Sequence, residues 1–209
     1  MKQFAFRLCA KKEIHAYHRC KNCQKNALLI CFLINSTMFV AEVFYGILHN
    51  SASLLSNGAH DVSDAFILGS SIFIISSTIK TKAQVAFVKA FLMFLFGLLP
   101  LYQIYKNTVT SITPEHLSMT IIGFFALFGN ILSAVFLSIF KNQDINLKSA
   151  YICVRNDAAG NLLVIFAGFL VLATGSHWPD TFAGVMISSI VLYSSTKIAI
   201  ESLRLIEKN

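Results

Sequence analysis

Ionisable side chains recur at helical spacing on two apolar stretches of this sequence. The first stretch contains His60 and Asp64, and the second contains Cys153 and Asp157. Because residues four apart lie on one face of a helix, each pair can present two donor atoms together. Imidazole nitrogen, thiolate sulfur and carboxylate oxygen are ligand types found in tetrahedral Zn²⁺ sites. We therefore predict a divalent metal site with four ligands: His60, Asp64, Cys153 and Asp157.

Three further polar residues share these two faces and form a second tier of candidates for the metal site. Asn57 and Asp61 lie on the face that carries His60, and Asn161 lies on the face that carries Asp157. Both asparagines could instead have a purely structural role, because polar side chains form hydrogen bonds between membrane helices. Asp61 has two alternatives, as a proton carrier or as the partner of a basic group.

The stretches that carry these residues are long enough to cross a bilayer, which takes about 20 apolar residues. We identify six such runs, at about 26–48, 54–79, 85–105, 117–140, 149–174 and 181–200. At the helical rise, Asp64 lies roughly 15 Å below one surface and Asp157 roughly 12 Å from the other. The two carboxylates therefore reach a similar depth, although the sequence leaves open whether the two helices are neighbours.

The energetic cost of these groups argues against an accidental cluster. On insertion scales, each ionisable side chain near the bilayer centre costs about 2.5 to 3.5 kcal/mol. Three carboxylates and an imidazole on two membrane helices therefore indicate a functional site.

The composition predicts one all-α integral membrane domain with six transmembrane helices, covering residues 26–205. Of the 209 residues, 56% are hydrophobic and only 13% are charged, whereas soluble domains carry about 25% charged residues. The net charge of +7 comes from basic residues at the ends of the apolar runs. We attribute that charge to orientation in the lipid bilayer, and we predict no nucleic-acid partner.

The distribution of basic residues predicts that both termini are cytoplasmic. Residues 1–25 form a basic segment, and the loops on the same side carry Lys80, Lys82, Lys141 and Lys148. The opposite loops contribute only Lys106. By the positive-inside rule, the protein is a multi-pass protein whose predicted location is a bacterial inner (plasma) membrane. We expect no cleavable signal peptide, because the first 26 residues lack a long apolar core.

The N-terminal segment holds a second set of metal-ligand types. They are His15, His18, Cys20 and Cys23. Four zinc-type ligands within nine residues could close a small metal site. The alternative is a flexible basic tail that lies near anionic lipid.

Four stretches together resemble the cation diffusion facilitator family of divalent metal/proton antiporters. They are Glu42 to Gly46, Asn50 to Asp64, Asn146 to Asn161 and Thr174 to Asp180. The resemblance covers about residues 27–205. It implies export of a divalent cation from the cytoplasm in exchange for protons, by a homodimer. It also implies a transport site at His60, Asp64, Cys153 and Asp157.

The sequence departs from the family pattern at three points. Cys153 stands where a histidine is usual, and Asn57 stands where an aspartate is common. Because the chain ends soon after the sixth run, we expect a short form without the family's cytoplasmic C-terminal domain. We expect Zn²⁺ as the metal, ahead of Cd²⁺, Co²⁺, Fe²⁺ or Mn²⁺, and a thiolate ligand favours the softer ions over Mn²⁺.

Other functions stay open at this point. A membrane sensor or adaptor could bind the metal without transporting it, and a channel could pass it without proton exchange. An enzyme is not expected. An intramembrane zinc protease would carry a His-Glu-x-x-His helix, which the sequence lacks. An aspartyl enzyme could use Asp64 and Asp157, but no accompanying signature is present.

Overall fold

The described part of the chain is a bundle of α-helices. A computed structural model of the protein describes residues 21–74, 79–140 and 145–207. The helices are α1 (Lys21–Leu48), α2 (Ala52–Ile74), α3 (Ile79–Thr110), α4 (His116–Ser138), α5 (Ile145–Thr174) and α6 (Trp178–Glu207). Each of the six predicted runs corresponds to one helix, although α2 is described only to Ile74, and Ile79, the predicted end of the second run, begins α3. His15, His18, Cys20 and the side chain of Cys23 lie outside the described residues, so the N-terminal metal site stays a prediction.

Several helices are longer than their apolar runs, above all α3 and α6. α3 begins at Ile79, so Lys80 and Lys82 lie in its first turn rather than in a connecting turn. α6 continues to Glu207. A helix can extend past the hydrocarbon because its backbone groups remain bonded within the helix, and hydropathy alone does not detect these polar ends.

The connections 49–51, 111–115 and 175–177 gather at one end of the bundle. Asn107 Nδ2 donates to the carbonyl of Asn50 at 2.6 Å, and Thr113 Oγ1 donates to the carbonyl of Gly175 at 3.3 Å. Successive helices therefore run in opposite directions, and Lys21 and Glu207 lie at the other end. We call the first end the outer end, because the charge distribution predicts that it faces away from the cytoplasm.

The bundle is a multi-pass integral membrane protein. Within the described ranges, every helix except α2 is long and apolar enough to cross a membrane, with mean hydropathies from 1.5 to 2.1. Large apolar side chains such as Phe128, Phe182 and Tyr193 point outward on these helices. α2 has 23 residues, enough to cross, but His60 and its two neighbouring aspartates lower its hydropathy.

α2 is the central helix. It packs against α1, α3, α5 and α6, and residues 51–59 are all buried. Small residues permit this packing, since a Cβ on Gly58 would lie 2.9 Å from Val43, and one on Gly184 would lie 2.9 Å from Ala52. Close backbone approach of this kind is a main source of helix association in membranes. The polar residues of α2 are therefore shielded from lipid.

Asp180 of α6 caps the N-terminus of α2. Its buried carboxylate accepts hydrogen bonds from Ala52 N at 2.7 Å and Ser53 N at 3.0 Å. It also accepts the hydroxyls of Ser51 at 2.8 Å and Ser53 at 2.6 Å. The first amides of a helix lack partners within the helix and carry partial positive charge, so a carboxylate stabilises them. This contact fixes the outer end of α2 to α6.

We expect Asp180→Ala to destabilise the protein by about 2–4 kcal/mol, because it leaves buried hydroxyls and amides without an acceptor. Thermal unfolding of the detergent-solubilised protein measures the effect as a lower midpoint. Glu201→Ala, an exposed carboxylate on the same helix, is the control and should leave the midpoint unchanged. Equal midpoints for the two variants would contradict the capping role.

Candidate metal site

Three of the four predicted ligands meet between α2 and α5. One ligand atom from each of His60, Asp64 and Asp157 lies within 4.8 Å of the other two. His60 Nε2 is 2.9 Å from Asp157 Oδ1, and both carboxylates are buried. Within the described ranges, this is the one group of three or more possible metal ligands. The structure thus places the two helices as neighbours, which the sequence left open.

A glycine brings the two helices together at this level. A Cβ on Gly160 of α5 would lie 2.5 Å from Asn57 Oδ1 of α2. Asn57 Nδ2 donates to Asn161 Oδ1 at 3.1 Å, and Asn161 Nδ2 donates to the carbonyl of Asp157 at 3.1 Å. The two asparagines therefore connect α2 to α5 beside the carboxylates, as their structural alternative predicts.

Several ligand atoms have no hydrogen-bond partner. Asp64 Oδ2, Asp157 Oδ2 and His60 Nδ1 are buried and unpaired among the described residues. A buried polar atom without a partner costs about 1–3 kcal/mol, and a charged one more. A cation or a proton would satisfy these oxygens, since buried charge is stable only when it is paired. The group can therefore hold a divalent ion as substrate, or protons in its place.

Cys153 lies beside this group rather than within it. The residue is partly buried and its thiol is free. It lies one helical turn from Asp157, and its thiol lies near the Asp64 carboxyl group. The structure therefore brings the fourth predicted ligand against one of the other three, and its role as a ligand stays a prediction.

Asp61 faces α1 instead of α5. Its side chain contacts that of Glu42, and both are fully buried. Glu42 Oε1 also accepts Asn57 Nδ2 at 2.7 Å. The contact of Asp61 is therefore with an acid, and its two alternatives, a proton carrier or the partner of a basic group, stay predictions. Two carboxyl groups in contact share a proton or a cation, which is compatible with a proton carrier.

Sequence reasoning missed two ionisable residues near the site. Glu42 was noted only as part of the family resemblance, and Lys89 was passed over within an apolar run. Lys89 of α3 interacts electrostatically with Asp64, Cys153 and Asp157. The criterion that identifies Asp64, a charged side chain inside a membrane-spanning run, also applies to both of these residues.

A cavity of about 470 Å³ opens beside the site, between α2, α5 and α6. His60, Asn156 and Asp157 contribute polar lining, and Met186 and Ile190 of α6 are among the apolar lining residues. An ion in this cavity would lie beside His60 and Asp157, whereas Asp64 is not among its lining residues.

With this geometry in place, comparison with known proteins identifies the family. The family profile of the cation efflux transmembrane domain matches residues 28–206. This chain belongs to the cation efflux family. The resemblance predicted from the four sequence stretches is confirmed.

Curated relatives in this family come from bacteria. The metal cation efflux system protein CzcD of Cupriavidus metallidurans is 26% identical over 180 residues, which is 80% of this chain and 57% of the relative. A cadmium, cobalt and zinc/H(+)-K(+) antiporter of Bacillus subtilis is 26% identical over 201 residues, 87% of this chain and 63% of the relative. The zinc transporter ZitB of Escherichia coli is 23% identical over 188 residues, 84% and 60%. The chain thus matches less than two thirds of the length of these relatives.

We expect Gly160→Ala to weaken Zn²⁺ binding by about 10- to 100-fold, the usual effect of changes just outside a metal's ligands. The added Cβ would push Asn57 away and separate α2 from α5, although every candidate ligand is retained. Isothermal titration of the purified protein with Zn²⁺ measures the affinity. Leu162→Ala, on the exposed face of the same helix, is the control. Unchanged affinity in Gly160→Ala would show that this contact does not set the site.

Proposed function

We propose that this cation efflux protein exports a divalent metal from the cytoplasm in exchange for protons, in a bacterial inner membrane. The observation that carries the proposal is the convergence of His60, Asp64 and Asp157, buried inside a membrane bundle with unpaired oxygens. The names of the bacterial relatives, which include efflux proteins and an antiporter, support the same function. The proposal makes the protein a carrier and not an enzyme, and a homodimer is its proposed assembly.

The ligand chemistry explains how protons and metal would exchange. A metal binds neutral imidazole and carboxylate, so protons compete with it for the same atoms. When the site faces the cytoplasm, His60, Asp64 and Asp157 bind the metal and release protons. When it faces outward, protons displace the metal from the same atoms. Alternation between the two states follows from helix groups that tilt around a site near the midplane.

Zn²⁺ is the proposed substrate, with Cd²⁺ and Co²⁺ as further candidates. Nitrogen and carboxylate ligands suit Zn²⁺, and a thiolate from Cys153 adds preference for softer ions. One relative's name includes cadmium, cobalt and zinc, and another's names zinc, which supports this choice.

Asp157→Asn and Asp64→Asn should abolish proton-driven Zn²⁺ uptake into proteoliposomes with an acidic lumen, because each removes a negative oxygen ligand. A zinc-sensitive dye inside the vesicles records uptake. Glu201→Gln keeps the fold and alters an exposed carboxylate remote from the ligands, so its uptake should equal that of the unaltered protein. Full uptake in either aspartate variant would refute the site.

The same vesicles separate an exchanger from its alternatives. Collapse of the proton gradient by an ionophore should stop Zn²⁺ accumulation in the exchanger. Uptake that persists without the gradient would indicate a channel. Zn²⁺ binding without any uptake would indicate a sensor or adaptor.

Cys153→Ser should weaken Cd²⁺ binding more than Zn²⁺ binding, by about tenfold relative to Zn²⁺, because a hard oxygen replaces a soft sulfur. Competition titrations with the two ions give the ratio directly. Ser133→Ala, a buried hydroxyl on α4, provides a variant that should leave the ratio unchanged. An unaltered ratio in Cys153→Ser would remove the thiol from the ligand set.

A further inference from the structure

A lysine lies inside the bundle near the metal site. Lys89 is on α3, about six residues inside the membrane-spanning stretch Ala83–Thr110, which is roughly 9 Å along its axis. Its side chain is only partly exposed, and the adjacent Ala90 and Met93 are almost fully buried. An ammonium group at this depth is costly in a membrane, so its position needs a reason.

Helix packing places Lys89 at the level of Asp64. Gln103 Nε2 of α3 donates to Asn50 Oδ1, just before α2, at 3.3 Å, which aligns the two helices at the outer end. The two helices run in opposite directions. Toward the inner end, Lys89 lies about 14 residues from Gln103 and Asp64 lies about 14 residues from Asn50, which is roughly 21 Å along each helix.

The ammonium group of Lys89 lies near the acidic residues and the thiol of the site. It interacts electrostatically with Asp64, Cys153 and Asp157. Its ammonium forms no ion pair within 4.0 Å in the part of the chain that the structure describes. Lys89 therefore acts on the group as a whole rather than as the direct partner of one carboxylate.

Charge balance gives this lysine a role. A divalent ion carries two positive charges, which Asp64 and Asp157 neutralise while His60 stays neutral. A metal-bound cysteine is a thiolate, so Cys153 adds a third negative charge. An excess charge inside a membrane bundle is strongly unfavourable. One positive charge nearby offsets this third negative charge.

We propose that Lys89 is the counter-charge that lets the site bind a divalent ion through two carboxylates and a thiolate. The inference rests on the proposed function, because it takes Asp64 and Asp157 as metal ligands. Lys89 acts through the site's total charge and is not itself a ligand. It thereby offsets the one negative charge by which three anionic ligands exceed the charge of a divalent ion.

Cobalt spectroscopy of the purified full chain tests the proposal. A Co²⁺–thiolate bond produces a charge-transfer absorption band, whereas oxygen and nitrogen ligands do not. Titration with Co²⁺ should give a stronger band in the unaltered protein than in Cys153→Ser, in which only the other cysteines can contribute, and the difference between the two is the Cys153 band. Lys89→Met should lose the band, and Lys89→Arg, which keeps the charge, should retain it.

A double variant keeps the test independent of folding. Cys153→His supplies a neutral nitrogen ligand and removes the third negative charge. Lys89→Met combined with Cys153→His should therefore bind Co²⁺, and this binding would show that Lys89→Met does not prevent folding. A full thiolate band in Lys89→Met would overturn the proposal, as would the absence of the band from the unaltered protein.

The experiment separates this inference from the proposed function. If Asp157→Asn binds Co²⁺ as well as the unaltered protein, the proposed site is wrong and the inference is overturned with it. If Asp157→Asn loses binding while Lys89→Met keeps the full band, the site stands and only the role of Lys89 is refuted.

Discussion

The close approach of α2 to α5 at Gly160 decides where the carboxylates of this protein lie. Gly160 has no side chain to separate the helices, and Asn57 occupies the space that a Cβ would fill. Asp64 and Asp157 can then meet at one depth, each carried on a helix that runs opposite to the other. A side chain at position 160 would displace the Asn57 amide and disturb the contact between the two helices that carry these ligands.

α2 directs different polar groups to different neighbours. His60 and Asp64 face α5, Asp61 faces Glu42 of α1, and Ser53 faces Asp180 of α6. A helix with polar groups on several sides is unstable against lipid. Its central position in the bundle follows from that, because each polar side then meets a protein surface. The low hydropathy of α2 is therefore a consequence of its place in the fold.

Much of the site could be predicted from the sequence, and the remainder depended on packing. The spacing of His60 and Asp64 fixes a common helical face, and the helical rise fixes the depth of Asp157, so both follow from local geometry. The contact between α2 and α5 does not follow from local geometry, because it depends on how Gly160 and Asn57 fit together. Lys89 was missed because a single charge in an apolar run has no periodic partner. The contact of Asp61 with Glu42 could not be predicted, because helical periodicity gives the direction of a side chain and not what it meets.

The hydrogen bonds to Asp180 hold the outer end of α2 in place, so a tilt of α2 pivots at that end. Asp64 lies twelve residues from Ala52, which is roughly 18 Å along the helix. A tilt of about 10° around the fixed end moves Asp64 sideways by about 3 Å. This displacement is larger than the bond between Zn²⁺ and a carboxylate oxygen, which is about 2 Å long. A rotation too small to disturb the outer contact is thus enough to assemble or separate the ligands.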